Sequence, residues 1–143
     1  MRHYPVYLDL SDQPVLVVGA GKVALRKSQG LIEAGARVTV VAPEWLEDFR
    51  DLPVHLVKRR YRVSDLDGAR LVFAATNDRR VNHRIGEAAK ARGIWVNVAD
   101  AADECGFIVP ARLRRGRTQV AISTGGVNPK LSAELRRKLE EIL

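Results

Sequence analysis

Cysteine is all but missing from these 143 residues: Cys105 stands alone, which excludes an internal disulfide and leaves nothing for a zinc cluster. Histidine is nearly as scarce. His3, His55 and His83 are scattered without metal-ligand spacing and read as surface or capping residues, so no metal centre is expected. No apolar run approaches the roughly 18 residues of a membrane span. The start, Met1-Arg2-His3-Tyr4-Pro5, leads into no signal-type apolar core, and a cytoplasmic protein with no membrane partner is expected. Aromatic residues make up only 6% of the chain. Among the basic clusters at 58–62, 112–117 and 136–138, Tyr61 alone is placed to stack on a base, which argues against nucleic acid as the partner. Acidic residues are outnumbered too, 17 against 24 lysines and arginines, for a net charge of +7. Such a field would steer a small polyanion and pair with its carboxylates.

What is present is the composition of a compact domain, 46% hydrophobic and 29% charged. A chain of this size buries about two-thirds of its unfolded surface. Its most informative stretch is Pro14–Ala24, where an apolar, β-branched run breaks into closely spaced glycines and then into a helix-compatible segment. In that loop Gly19 makes a tight turn, Ala20 follows it, Gly21 lets backbone approach a diphosphate, and Ala24 is the third small position, where helix packs on strand. Diphosphate would then meet free N–H groups at the positive end of the helix dipole. The same glycines also suit a plain tight turn. A strand before, a helix after and a second strand on schedule favour the dinucleotide site.

Strands are expected at Val15–Val18, Arg37–Ala42, Val54–Val57, Arg70–Ala75 and Ile94–Val98. Helices are expected at Val23–Ala34, stopped by Gly35, and from Asn77 or Asp78 to Gly93, with Val81, Ile85, Ala88 and Ala89 on one face. Strand and helix alternate, which predicts an α/β fold with a Rossmann-like doubly wound parallel sheet. Past residue 100 the pattern changes. Phe107–Leu113 and Thr118–Ser123 read as a hairpin turning at Arg114–Arg117, and Asn128-Pro129 opens a helix with Leu131, Leu135, Leu139 and Ile142 on one face. The expected division is 1–106 as an NAD-binding domain and 107–143 as a dimerisation segment, since a hairpin and one helix cannot cover their own apolar faces.

Ligands of open α/β sheets sit beyond the carboxyl ends of the strands. That rule selects Thr76-Asn77, taken as cofactor contacts, and Asp100, a candidate acid/base that is ionised at neutral pH and able to take a proton as a hydride leaves. Asp100 also suits a role capping the turn 101–104, with Asp103 and Glu104 solvated. Ser123, Thr124 and Gly125, in the turn before the helix capped by Asn128, form either a nest for an anionic group or a flexible turn. A carboxylate at the end of the second strand often holds the ribose, but here Ala42-Pro43 precedes Glu44. Charge alone therefore leaves NAD and NADP unresolved.

Several segments taken in order resemble the precorrin-2 dehydrogenase / sirohydrochlorin ferrochelatase family, the N-terminal domain of siroheme synthases. They are Pro5–Leu10, Val17–Lys27, Gly35–Pro43, Ala74–Asp78 with Val81-Asn82, Asn97–Asp100, Phe107–Ala111 and Ala121–Gly126, and they cover nearly the whole chain. The resemblance implies NAD-dependent oxidation of precorrin-2 to sirohydrochlorin, a step towards siroheme, followed in some members by iron insertion. It implies a polycarboxylate tetrapyrrole as substrate and a homodimer. It also implies Asp100 as catalytic residue, NAD contacts at the glycine loop, Lys22, Val23, Pro43 and Glu44, and substrate contacts at Ser123, Thr124, Gly125 and Asn128. The sequence departs from the family's pattern at Ala20, where a third glycine is frequent, and at Asn77, where aspartate is common. The methyltransferase domain fused on in some members does not occur in these residues, so the expected role is to consume precorrin-2 rather than make it. The alternative is a nucleotide-sensing regulatory module without catalysis. The hairpin block and the missing acid at Ala42 speak against it.

Overall fold

The structure, a computed structural model, describes residues 2–143. Five strands, β1 (Pro14–Val18), β2 (Arg37–Ala42), β3 (His55–Lys58), β4 (Leu71–Ala74) and β5 (Trp95–Val98), form one parallel sheet in the order β3-β2-β1-β4-β5. Helices α1 (Lys22–Glu33) and α2 (Arg79–Ala91) connect β1 to β2 and β4 to β5. The register aligns Val18 with Val41 on one side and Ala74 on the other, and Ala74 with Val98. Four strands therefore end level, and strand order reverses between β1 and β4. A crevice opens at that reversal in doubly wound sheets.

Both sheet faces are covered, which is why the central strands are apolar throughout rather than alternating. Val15, Val17, Val38, Val40, Leu71 and Phe73 pack with Ala24 and Leu31 of α1. Leu16, Val18, Val72, Ala74, Val96 and Val98 pack on the opposite face with Ile85 and Ala89 of α2. Each fully buried valine or leucine contributes about 1.5–3 kcal/mol, so the strand ends that carry the site are anchored from both sides.

The chain divides into two compact units, Val6–Phe107 and a second made of Ile108–Leu143 with the described part of Met1–Pro5. In the second, β6 (Ala111–Arg115) and β7 (Thr118–Ile122) pair antiparallel, and α3 (Pro129–Ile142) follows. Arg115 Nη2 donates to the Glu140 carbonyl at 3.1 Å, and Leu113 and Ser132 are buried. Asn128 Oδ1 accepts from Leu131 N at 2.9 Å, with Pro129 at the first helical position. Leu131, Leu135 and Ile142 remain exposed.

The structure revises several sequence-based boundaries. The first hairpin strand starts at Ala111 rather than Phe107. Phe107 instead meets Phe73 edge-on, with ring centroids 5.4 Å apart, and its carbonyl accepts from Asn97 Nδ2 at 3.1 Å. Pro110 just before the strand lacks the N–H a ladder needs. The turn shrinks to Gly116-Arg117, with Gly116 at φ 58°, because the strands pair as far as Arg115 and Thr118. β3 lies one residue later than expected, and Asp78, not Asn77, caps α2. No helix among the described residues is long and apolar enough to cross a membrane.

Candidate active site

Beyond the level strand ends of the larger unit lies a half-open cleft of about 1220 Å³. Gly19, Ala20, Gly21, Lys22 and Val23 line it from the turn after β1, Pro43 and Glu44 from the end of β2, Thr76 and Asn77 from the end of β4, and Asp100 from the end of β5. Residues from Gly19 to Asp100 thus line one cleft because parallel strands end together.

The glycine loop has two glycines with different duties. Gly19 sits at φ 108°, where a side chain is strained, and its N–H donates to the Val41 carbonyl at 2.9 Å. An added Cβ would collide with the Ala75 carbonyl oxygen and stand 2.6 Å from the carbonyl carbon. Gly21 has ordinary backbone angles, and nothing lies within 4 Å of where its Cβ would be. It is the N-cap of α1, with no side-chain cap and no acid in the first turn. The opening N–H groups of α1 thus lack a side-chain acceptor at the cleft, as anion binding at a helix start requires. At α2, by contrast, Asp78 Oδ1 already accepts from Arg80 N at 2.9 Å. Ala24, the third small position, is fully buried.

Asp100 is held by one oxygen. Its Oδ1 accepts from Arg79 Nη1 at 2.8 Å and from Asn82 Nδ2 at 3.2 Å, whereas Oδ2 makes no hydrogen bond among the described residues. Asn82, fully buried, is itself fixed: its Oδ1 accepts from Thr76 Oγ1 at 2.6 Å and Thr76 N at 3.1 Å, and its Nδ2 donates to the Thr76 carbonyl at 3.0 Å. The Asp100 side chain is 41% exposed. The result is an oriented carboxylate at the edge of the cleft, with Oδ2 outside the hydrogen bonds that hold it. Asp100 does not cap the short 3-10 turn at Ala102–Glu104, whose first position is Ala101 with no side-chain cap. Glu104, expected to be solvated, instead takes the other arm of Arg79 and lies 3.2 Å from His83 Nδ1. Arg79 bridges two carboxylates that are four residues apart in sequence.

Arg59 and Asp65 brace the segment that contributes Arg60, Tyr61 and Val63 to the cleft lining. Arg59 donates to both Asp65 oxygens, at 2.6 and 2.8 Å, and to the Arg60 carbonyl at 3.0 Å. Asp65 also accepts from Arg62 N at 2.8 Å. The Arg59 guanidinium, more than any other group, holds the Asp65 carboxyl below the usual aspartate range. This clamp sets the segment from which Arg60, Tyr61 and Val63 face the cleft. Among the described residues the buried Tyr61 hydroxyl has no hydrogen-bond partner, and burial raises its pKa.

In the C-terminal unit, Ser123 Oγ accepts from Gly125 N at 3.1 Å, and Thr124 Oγ1 accepts from Asn128 N at 3.2 Å. This turn engages two of its own backbone donors through its hydroxyls. Sequence reasoning overlooked Arg79 and, as a holder of Asp100, Asn82. A signal for Asn82 existed: an amide three residues before Ile85 on the inward face of an amphipathic helix requires a polar partner. Arg79 carried no such mark. Among the described residues no group of three or more His, Cys, Asp or Glu is placed to hold a metal ion.

Residues 6–111 match the family model described as "Putative NAD(P)-binding", and residues 115–142 match the one described as "Sirohaem biosynthesis protein central". A siroheme synthase of Methylococcus capsulatus is 42% identical over 144 residues, covering 98% of this chain and 30% of that protein. One from Ectopseudomonas mendocina is 45% identical over 142 residues, covering 98% and 31%. The chain thus spans less than a third of the length of these curated relatives. Among solved structures, SirC, a precorrin-2 dehydrogenase, superposes with a TM-score of 0.85 at 31% identity, covering 99% of this chain and 71% of that one.

Proposed function

The chain belongs to the precorrin-2 dehydrogenase family, and from that premise we propose that it oxidises precorrin-2 to sirohydrochlorin with NAD. The observation that carries the proposal is Asp100, fixed by Arg79 and Asn82 on Oδ1 and open on Oδ2, in one cleft with a glycine loop whose helix start is uncapped. The residues fit the cofactor. The space over Gly21 admits a diphosphate against the N–H groups of Lys22 and Val23. Pro43-Glu44 at the end of β2 supplies the ribose contact, and Thr76-Asn77 edges the nicotinamide side. NAD, when bound, supplies the hydride acceptor.

Oxidation removes a hydride and a proton from the macrocycle. Asp100 Oδ2 takes the proton, while Arg79 and Asn82 keep the carboxylate from turning away. Ser123, Thr124, Gly125 and Asn128 are proposed as further contacts for the substrate's carboxylates, on the family resemblance. Iron insertion, where it follows, would take its pyrrole protons to the same Asp100, with ferrous ion as substrate. The proposed assembly is a homodimer through 107–143, supported by the exposed Leu131, Leu135 and Ile142 of α3. The proposed compartment is the cytoplasm, where NAD is regenerated. A purely sensing module has no use for an oriented carboxylate beside the cofactor and is the weaker reading.

The test is anaerobic incubation of the protein with precorrin-2 and NAD, following reduced cofactor and the sirohydrochlorin spectrum. Turnover in the wild type that vanishes in Asp100→Ala is expected. NAD binding by calorimetry without any turnover would sink the proposal. Ferrous or cobalt ion added after oxidation reads out insertion.

A further inference from the structure

The first turns of α2 crowd four basic side chains together: Arg79, Arg80, His83 and Arg84 line one surface hollow of about 540 Å³. Cations are disfavoured at a helix start, where the backbone dipole is positive, and the one acid at this start, the N-cap Asp78, is engaged by the Arg80 and Val81 N–H groups. Two of the four have local partners. Arg79 is neutralised by Asp100 and Glu104, and His83 faces Glu104. Among the described residues neither Arg80 nor Arg84 forms an ion pair with an acidic side chain. The Arg80 guanidinium makes no hydrogen bond among the described residues, and Arg84 makes only a long one, 3.4 Å from Nε to the Arg80 carbonyl. Spaced four residues apart, they project from one helical face with Cβ atoms about 6 Å apart. Arg84 lines the Asp100 cleft as well as the hollow, so one side chain borders both. Both guanidinium groups are exposed, and both are available to an anion from solution.

We propose that Arg80 and Arg84 form the subsite for peripheral carboxylates of the macrocycle, which enters along α2 to reach Asp100. The identity of that polycarboxylate rests on the dehydrogenase reading; the anion class rests on the side chains themselves. A planar guanidinium fork matches a carboxylate in two parallel hydrogen bonds. The cofactor's anionic groups have their own place, since its diphosphate belongs to the α1 start and its ribose to the end of β2. Helix α2 follows β4, on the other side of β1 from β2. Arg84 therefore lines the cleft together with Asp100, and Arg80, one turn before it on α2, lines the adjoining hollow.

The test is a spectroscopic titration of sirohydrochlorin, in the presence of NAD, into wild type, Arg80→Gln, Arg84→Gln, the double variant and Lys90→Gln, which makes the same charge change at the far end of the helix. Loss of one partly exposed charge-assisted pair should weaken macrocycle binding about tenfold for each arginine. The double variant should lose more, Lys90→Gln little, and NAD affinity should be the same in all. Sirohydrochlorin with its carboxylates esterified should bind the wild type and the double variant equally. Wild-type affinity in both single variants overturns the subsite, as does weakened NAD binding in place of weakened macrocycle binding. Arginine-dependent binding without turnover would leave the subsite standing and sink the dehydrogenase reading; normal turnover with arginine-independent binding would do the reverse.

Discussion

Alanine at Gly19 and alanine at Gly21 should fail in opposite ways. At Gly19 the backbone angle of 108° alone costs an L-residue about 1–2 kcal/mol, and the new methyl would overlap the Ala75 carbonyl group. That carbonyl belongs to backbone directly after β4, where Ala75 N donates to the Val18 carbonyl at 2.8 Å, so it has little room to retreat. Overpacking of this kind adds about 1–3 kcal/mol. The sum, near 3 kcal/mol or more, corresponds to a melting temperature lower by roughly 10 °C in a chain of this size. At Gly21 the methyl enters open space from an ordinary conformation, and the fold should change by no more than about 1 kcal/mol, the scale of an N-cap effect. The open space is where the proposed diphosphate would approach, so Gly21→Ala should raise the Kd for NAD at least tenfold, about 1.4 kcal/mol. Thermal denaturation by circular dichroism and calorimetric titration with NAD read the two effects separately. A Gly21→Ala protein that binds NAD as the wild type does would refute the placement of the diphosphate, and a Gly19→Ala protein of undiminished stability would refute the loop geometry.

Asp100→Asn, which keeps the shape and removes the base, should lower turnover about 10²–10⁴-fold while calorimetry finds NAD affinity unchanged. Arg59→Met should destabilise the fold at neutral pH, by a small amount because the Arg59 side chain is partly exposed to solvent. Because the folded Asp65 carboxyl titrates below its unfolded counterpart, the pair's contribution is complete above a pH of about 4 and disappears as pH falls through the folded value. Wild-type and Arg59→Met denaturation curves should therefore converge in acid; a gap that persists there would refute the assignment. Leu135→Glu on the exposed face of α3 should convert a dimer to monomer in sedimentation, without loss of helix content.

The parts of this molecule legible from sequence are those whose cause is local. A β-branched run, Gly19 and Gly21, a helix with small inward residues and a second strand are consecutive, so both the sheet and the glycine loop could be read directly. The hairpin's first strand was misplaced because Phe107–Val109 is apolar enough to pass for a strand, whereas the contact that claims Phe107, the ring of Phe73, lies 34 positions away. Asp100 was visible as the carboxylate after an apolar strand. Its orientation was not, because Arg79 and Asn82 reach it only when β4 and β5 are neighbours in the sheet. Glu104 shows the same limit: an acid in a short loop reads as solvated until the guanidinium that claims it, 25 residues earlier, is brought across.

How the three long helices begin explains where anions can go. Asp78 at α2 and Asn128 at α3 spend their side chains on their own first-turn N–H groups, so neither start has its full set of donors to offer. α1 begins with Gly21, which has no side chain to spend, and no acid follows in its first turn. A helix left uncapped forgoes about 1 kcal/mol, a cost that has a purpose only if something else supplies the acceptor. Its position decides what that is: α1 follows β1, at the reversal of strand order, where the crevice lies. The capped start of α2 then places arginines, rather than backbone donors, beside Asp100. On the proposed reading the diphosphate would be met by fixed N–H groups at Gly21, and the carboxylate-bearing partner by long, adaptable guanidinium arms. One cleft would then hold both partners without competition because its two helices present different donors.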